Sequence, residues 1–206
     1  MAITTYAELK SAVSDFLNRD DLDAVVPTFI SLAEAQMQRE LRHPRMMQRS
    51  VGQIDSRYSP VPEYWLETIR FHISTPESRR LELTSLDDMM QLRTEARGER
   101  GTPTHYAHVG ETLEVFPTPD NEYDIELLYY RKIPTLSDSN ASNWILEIAP
   151  DAYLYGALVQ SAPYLKDDGR VQVWGGLYSG AVRAVNAEGD KQRFGGSGMR
   201  MRIRSY

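Results

Sequence analysis

The sequence contains no cysteine and only four histidines among its 206 residues. Without cysteine the chain has no disulfide, no thiol nucleophile and no cysteine-ligated metal, which fits a protein made in a reducing cytoplasm. No apolar run approaches the roughly 18 residues that indicate a membrane-spanning helix. The first residues show no basic region followed by an apolar one, so we expect neither a signal peptide nor a membrane partner.

The patterns that accompany common catalytic and phosphate-binding sites are also missing. The sequence has no H-E-x-x-H, no G-x-S-x-G, no phosphate-binding loop and no G-x-G-x-x-G. His105 and His108 are three residues apart on an expected strand, which places their rings on opposite faces. The adjacent carboxylates of Asp87-Asp88 and Asp167-Asp168 do not converge on one substrate, and helix capping is the preferred interpretation. We therefore expect no catalytic residue, no cofactor and no metal site.

Charge is distributed unevenly along the chain. The formal net charge is −6, yet residues 191–206 contain five cations and no acid, which leaves −11 for the rest of the chain. This balance argues against a general nucleic-acid-binding protein. An acidic body with a short basic end predicts that the end contacts an acidic surface, on another copy or on a partner.

Helical periodicity occurs at both ends of the sequence. Thr5-Tyr6-Ala7-Glu8 has the form of a capping box and predicts a helix start. Pro163 should kink or end its helix within a turn. The predicted helices cover residues 6–17, 27–42, 151–165 and 170–187. We expect the last two to form an antiparallel hairpin within residues 143–193.

The last predicted helix contains Gly175, Gly176 and Gly180. Each glycine costs about 1 kcal/mol relative to alanine inside a helix. Small residues let two helix backbones approach closely, which would compensate for this loss. Two interpretations stay open, namely ordinary packing within the chain and a surface shaped for a neighbouring subunit.

Between residues 46 and 132 the apolar pattern changes to the shorter period of strands. Ser85 should cap a short helix that ends near Arg93. Strands are predicted over residues 48–55, 67–74, 80–83, 104–108, 111–116 and 123–132. A linker rich in serine and asparagine follows over 136–142.

These elements predict an α+β fold class. We expect a four-helix bundle made from the N- and C-terminal segments, with an inserted small antiparallel β region and an extended C-terminal tail. The predicted domains are an N-terminal helical hairpin (1–45), the β region (46–135), a C-terminal hairpin that shares one bundle with the first (143–193), and a partner-binding tail (194–206).

The predicted tail begins with a glycine-rich linker composition over 194–198. Residues 199–204 then alternate strictly, so that in a strand the arginines would lie on one side and Met199, Met201 and Ile203 on the other. Such a segment could add a strand to an exposed sheet edge. The predicted portal or subunit interface consists of Arg193, Phe194, Met199, Arg200, Met201, Arg202, Ile203, Arg204 and Tyr206.

Several stretches carry a family resemblance, and they occur in a consistent order along nearly the whole chain. They are residues 5–9, 30–34, 39–42, 116–119, 128–131, 151–158 and 162–168, with Arg170 and Trp174. In these stretches the sequence resembles phage head-to-tail adaptor (connector) proteins of the tail tubular protein A-like family. The shared pattern is structural rather than catalytic.

The resemblance implies a structural virion protein and not an enzyme. It implies a closed ring of about twelve copies beneath the portal protein, with the tail tube or nozzle protein below. Genome DNA would pass through the centre without specific binding. The implied location is the neck of the virion, after assembly in the host cytoplasm.

Alternatives remain at this point. The chain could be another neck or tail ring component, such as a stopper or tail-completion protein, or a tail-associated cell-wall hydrolase that uses a pair of carboxylates. For the basic tail, contact with DNA inside the channel is the alternative to a protein partner.

Overall fold

A computed structural model of the chain describes residues 2–74, 78–165 and 169–195. The chain divides into two compact units. One, the helical unit, comprises Met1–Met46 and Ile133–Tyr206, and the other, the β unit, comprises Met47–Lys132. The described helices are α1 (Tyr6–Leu17), α2 (Val26–Glu40), α3 (Leu86–Glu95), α4 (Trp144–Ile148), α5 (Pro150–Leu165) and α6 (Val171–Phe194).

Local capping explains where the first helix begins. The amide of Glu8 donates to Thr5 Oγ1 at 3.3 Å, and the amide of Thr5 donates to Glu8 Oε2 at 3.0 Å. These two bonds form the predicted capping box. Asn18 ends α1 in the left-handed conformation that commonly follows a helix.

Helix α5 lies at the centre of the helical unit, where it packs against α1, α2, α4 and α6. Its buried residues occur on more than one side of the helix: Ala152, Tyr153, Leu154, Gly156, Ala157, Leu158 and Ser161. A helix that is apolar all round is a buried one. Pro163 lies inside the helix, which the structure describes as far as Leu165.

A buried polar network holds the segment that leads back from the β unit. Glu34 of α2 accepts hydrogen bonds from the amide of Leu136 at 2.7 Å and from the Tyr153 hydroxyl at 3.0 Å. Asn143 donates to Tyr153 Oη at 2.6 Å and to the carbonyl of Pro134 at 2.8 Å. Burial raises the pKa of Glu34 and of Tyr153. The segment from Pro134 to Asn143, which includes the predicted linker, is therefore hydrogen-bonded to α2 and α5.

The β unit contains two four-stranded sheets. Their strands are β1 (Met47–Ile54), β2 (Tyr58–Pro60), β3 (Trp65–Ile73), β4 (Arg79–Arg80), β5 (Glu82–Leu83), β6 (His105–Val109), β7 (Thr112–Phe116) and β8 (Tyr123–Arg131). The first sheet has the order β1-β8-β3-β4 and the second β2-β7-β6-β5. Both sheets contribute to one apolar core, which includes Phe71 and Leu127 from the first sheet and Tyr106 and Val115 from the second.

Helix α3 covers part of the other face of the second sheet. Met89 of α3 packs with Ala107 and Phe116. The hydroxyl of Ser85 accepts a hydrogen bond from the amide of Asp88 at 3.1 Å, so Ser85 caps this helix as predicted. The two strand histidines point to opposite faces, because the His108 ring packs on Trp65 whereas the His105 ring contacts Phe116.

The predicted fold class is wrong in its architecture. The chain is α+β, but it does not consist of a four-helix bundle with a small antiparallel β region, since it has two four-stranded sheets and six helices within the described residues. One strand pair, β5 with β6, is parallel. Helix α5 forms a hub with α4 as an additional neighbour, rather than one corner of a bundle. Strands of two or three residues are too short to show a period in the sequence, so the extent of the sheets was underestimated.

Candidate functional site

Only the start of the predicted interface falls within the described residues. Arg193 and Phe194 are the last two residues of α6. The other predicted interface residues lie outside the described part of the chain: Met199, Arg200, Met201, Arg202, Ile203, Arg204 and Tyr206. Helix α6 continues seven residues beyond the predicted end at Ala187, so that Phe194, the first residue of the predicted linker, is still helical.

Side-chain hydrogen bonds fix the end of α6 to the segment that follows α2. Arg193 Nη2 donates to the carbonyl of Arg42 at 3.0 Å. About two turns earlier in α6, the Asn186 side chain accepts a hydrogen bond from the amide of Arg42 and donates one to the carbonyl of Glu40, each at 3.1 Å. Tyr178 also donates to Glu40 Oε2 at 2.9 Å. The end of α6 is therefore hydrogen-bonded to the end of α2 and to the residues that follow it.

A fully buried histidine lies beside this junction. The His43 ring stacks on Trp144 with a centroid separation of 5.0 Å, and its Nδ1 accepts from the amide of Arg45 at 3.1 Å. Burial lowers the pKa of His43; the charges of Arg45 and Arg193 act in the same direction, and Glu188 opposes them. The sequence pattern did not predict this packing of His43, although Gly189 on the facing helix α6 is a residue that permits close approach.

The glycines of α5 and α6 that face inward are explained by contacts. A Cβ at Gly189 would lie 2.8 Å from both His43 Cδ2 and Pro44 Cδ. A Cβ at Gly156 would lie 3.1 Å from the Cβ of Ala33 and 3.2 Å from the Tyr178 ring. A side chain at Gly189 would force His43 or Pro44 to shift, and one at Gly156 would require a neighbour to move by a few tenths of an ångström.

Three further glycines of α6 have no such explanation. At Gly175, Gly176 and Gly180 a Cβ would meet no atom within 4 Å among the residues that the structure describes. Gly176 and Gly180 belong to a stripe at helical spacing that we call the outer face of α6: Val173, Gly176, Leu177, Gly180 and Ala184. Val173 is 62% exposed and Leu177 44% exposed. Packing within the described chain therefore accounts for the inner glycines but not for those of the outer face.

Charged side chains in the β unit form structural ion pairs. The buried carboxylate of Glu114 on β7 accepts from Arg57 and from Arg93 of α3, with nitrogen–oxygen distances of 2.8 Å. Arg93 also donates to the carbonyl of Val115 at 2.6 Å. A buried carboxylate that is paired with two guanidinium groups is satisfied, and this cluster joins α3 to the second sheet.

A hydrolase would need two acids that converge in a cleft, one of them with a raised pKa. Glu34 has a raised pKa, yet its carboxylate contacts Tyr153 and the amide of Leu136 rather than a second acid. Within residues 2–74, 78–165 and 169–195, no group of three or more histidines and acids could hold a metal ion. No helix in these ranges is long and apolar enough to cross a membrane.

The comparisons with known proteins give one clear match. A family model described as SU10 adaptor protein matches residues 4–202, which is nearly the whole chain and includes both compact units. A comparison with curated proteins returns no match. The match confirms the resemblance to phage head-to-tail adaptors, a structural rather than catalytic class. The chain therefore belongs to the SU10 adaptor protein family.

Proposed function

We propose that this protein forms the ring that joins the portal to the tail of a tailed phage. About twelve copies would close the ring by cyclic symmetry, with the portal protein above and the tail tube or nozzle protein below. Genome DNA passes through the centre during ejection. The protein assembles in the host cytoplasm and remains in the neck of the virion.

The observation that carries this proposal is the outer face of α6. Helical glycines at Gly176 and Gly180 lower the stability of the free chain, and no contact of the described residues requires them. Small side chains on an exposed helix face allow a second backbone to approach closely. Val173 and Leu177 on the same stripe provide apolar area that such a contact would remove from water. A neighbouring copy accounts for both features.

A ring places different surfaces of one protein against each other. In a heterologous interface, a patch on one copy contacts a different patch on the next, and the series closes if the rotation allows it. The outer face of α6 needs no self-complementary shape under this arrangement. The −11 charge of the residues before 191 is compatible with a channel through which DNA slides, since an acidic surface holds DNA weakly.

We further propose that different segments of the chain make different contacts. Residues 1–45 and 143–193 supply subunit contacts, residues 46–135 form a separate β domain, and residues 194–206 reach a partner. The partner of that tail is the portal or an adjacent subunit. Its contact residues are Arg193, Phe194, Met199, Arg200, Met201, Arg202, Ile203, Arg204 and Tyr206.

The proposal is tested by mixing the purified protein with portal-bearing heads and imaging the vertex. We expect monomer by light scattering in isolation and a ring on the heads. Leu177→Asp should abolish the ring without lowering the melting temperature, because this side chain is partly exposed. Ser179→Asp is the matched control, because it adds the same charge to the same helix away from the outer face.

Two results would count against the proposal. One is a normal ring from the Leu177→Asp variant. The other is a protein that never associates with portal-bearing heads, which would favour a different neck or tail component.

A further inference from the structure

The β unit carries an exposed apolar groove at the edge of its second sheet. The groove has a volume of about 520 Å³, and Leu83, Leu86, Ala107 and His108 contribute to its lining. Leu83 is 62% exposed, and Met90, one helical turn beyond Leu86 on α3, is 72% exposed. Leu86 is 51% exposed, so three large apolar side chains are exposed within eight residues of chain, and Leu83 and Leu86 both line the groove. We call this feature the edge groove.

The backbone at the edge groove is open to a further strand. Strand β5 ends at Leu83. The last hydrogen bond to this edge of β6 comes from the amide of Thr84, which donates to the carbonyl of Tyr106 at 2.9 Å. Backbone groups of successive residues alternate between the two sides of a strand. The amide and carbonyl of His108 therefore face the same side as those of Tyr106, beyond the end of β5. No described residue supplies a strand partner for them.

The charged residue in the lining of the edge groove is an acid, and two further acids are close to the lining in sequence. Asp88 contributes to the lining, and Glu82 and Asp87 are sequence neighbours of the lining residues Leu83 and Leu86. All three acids are exposed. A strand that suits this place would therefore be apolar on one side and basic on the other.

We propose that the edge groove receives residues 199–204 of a second copy of this chain as an added strand. Met199, Met201 and Ile203 cover Leu83, Leu86 and Met90, while the arginines face Glu82, Asp87 and Asp88. Main-chain bonds to His108 supply affinity, and the alternating side chains supply register. This inference rests on the proposed ring, because it names an adjacent subunit as the partner of the tail.

The chain itself contains the segment that fits. After α6 ends at Phe194, the sequence continues through Gly196 to Tyr206. Six residues in extended form span about 20 Å, which exceeds the length of the free edge at residues 107–109. Exchange of a C-terminal arm with the next copy is a heterologous contact, and such contacts propagate around a ring.

Disulfide trapping tests this inference in the full-length protein, because the natural chain contains no cysteine. One preparation carries Leu83→Cys and a differently tagged one carries Met201→Cys. Both are mixed, added to portal-bearing heads and oxidised. Because each chain has one cysteine, any disulfide between the two tags joins two copies. The Cβ atoms must come within about 4 Å of each other, so the bond reports direct contact.

We expect a strong disulfide between Leu83→Cys and Met201→Cys, and its loss when Arg202→Cys replaces Met201→Cys. Val51→Cys is the control site, because Val51 is 73% exposed on β1 of the other sheet. Equal yields at positions 201 and 202, or at positions 83 and 51, would overturn the inference. A disulfide formed more readily within the single chain of a Leu83→Cys/Met201→Cys double variant would overturn the choice of a second copy.

The same samples separate this inference from the proposed function. If heads acquire a ring but no disulfide forms, the edge groove assignment fails and the ring stands. The Leu83→Cys thiol could also be protected from alkylation on heads without forming a disulfide to the tail. That result would identify a portal segment as the occupant of the edge groove and would overturn the assignment. If the alternating disulfide pattern forms without docking to heads, the arm exchange stands and the adaptor proposal fails.

Discussion

The two sides of α6 use the same residue type for different purposes. On the inner side, Trp174 and Tyr178 are buried, and Gly189 lets the helix contact His43 and Pro44. On the outer side, Gly176 and Gly180 lie among exposed residues, and a Cβ at either position would meet no atom within 4 Å in the described chain. Glycine on the inner side is thus explained by the folded subunit. On the outer side the folded subunit does not explain it, and the proposed contact with a neighbouring copy does.

The largest effect should come from removing the main inner anchor. Trp174 is buried and stacks under the Arg170 guanidinium at 4.7 Å. Trp174→Ala should lower the free energy of unfolding by about 3–5 kcal/mol. Val173→Ala, on the exposed outer face, should change it by less than about 0.5 kcal/mol. Urea unfolding of both variants checks the contrast, and equal losses would show that the two sides of α6 are not distinct.

Filling an inner glycine should have the next largest effect. Gly189→Ala places a methyl group 2.8 Å from His43 and Pro44, so one of these elements must shift. We expect a loss of about 1–3 kcal/mol, as for other overpacked sites. The gain in helix propensity from alanine opposes this loss. A variant as stable as the natural chain in thermal unfolding would indicate that α6 moves away without cost.

Filling the outer glycines should do the opposite to stability and harm assembly. Gly176→Ala combined with Gly180→Ala should stabilise the isolated chain by about 1–2 kcal/mol, because each change favours the helix and meets no neighbour. Ring formation on portal-bearing heads should nevertheless fall, because the added methyl groups separate the two helices. The melting temperature and the fraction of heads with a ring are measured on the same preparation. A stabilised variant that assembles normally would remove the outer glycines from the interface.

The smallest effect concerns pH. Burial lowers the pKa of His43 in the folded chain from its ordinary value of 6.5. Below about pH 6.5 the His43 imidazole therefore binds a proton more readily in the unfolded chain than in the folded chain. The stability that His43 contributes is therefore fully present above pH 6.5 and is lost as the pH falls through its folded-state pKa.

His43→Gln should flatten the fall in unfolding free energy between about pH 7 and pH 5. His108, whose pKa burial also lowers, adds a fall of the same sign. Glu34 acts in the opposite sense, because its raised pKa makes its contribution greatest at low pH and smaller as the pH rises. The difference in unfolding free energy between the natural chain and the His43→Gln variant isolates the contribution of His43. Urea unfolding at each pH measures these free energies, and the same dependence on pH in both proteins would contradict its role.

Signals within a few residues of each other predicted much of the local structure. The capping box at Thr5 and Glu8 placed the start of α1, and the alternation on either side of Gly110 predicted the β6–β7 hairpin. Short pieces without a period were missed, namely β2 and α4. The parallel pairing of β5 with β6 depends on residues 23 positions apart, Glu82 and His105, and no local pattern reports it.

The interface could be predicted only in part for the same reason. A basic alternating tail is visible in sequence, and it stays a prediction. The edge groove is not visible, because it exists only where β6 extends past β5. The glycines of α6 were noticed in the sequence, but which of them face outward depends on how α6 packs against α5 and the segment after α2.

An image of the assembled vertex tests the central claim most directly. Cryo-electron microscopy of portal-bearing heads saturated with this protein should show a closed ring beneath the portal. We expect that Val173, Gly176 and Leu177 of each subunit are covered by the neighbouring copy. A ring in which this face of α6 remains in water, with its glycines touching no other chain, would contradict it.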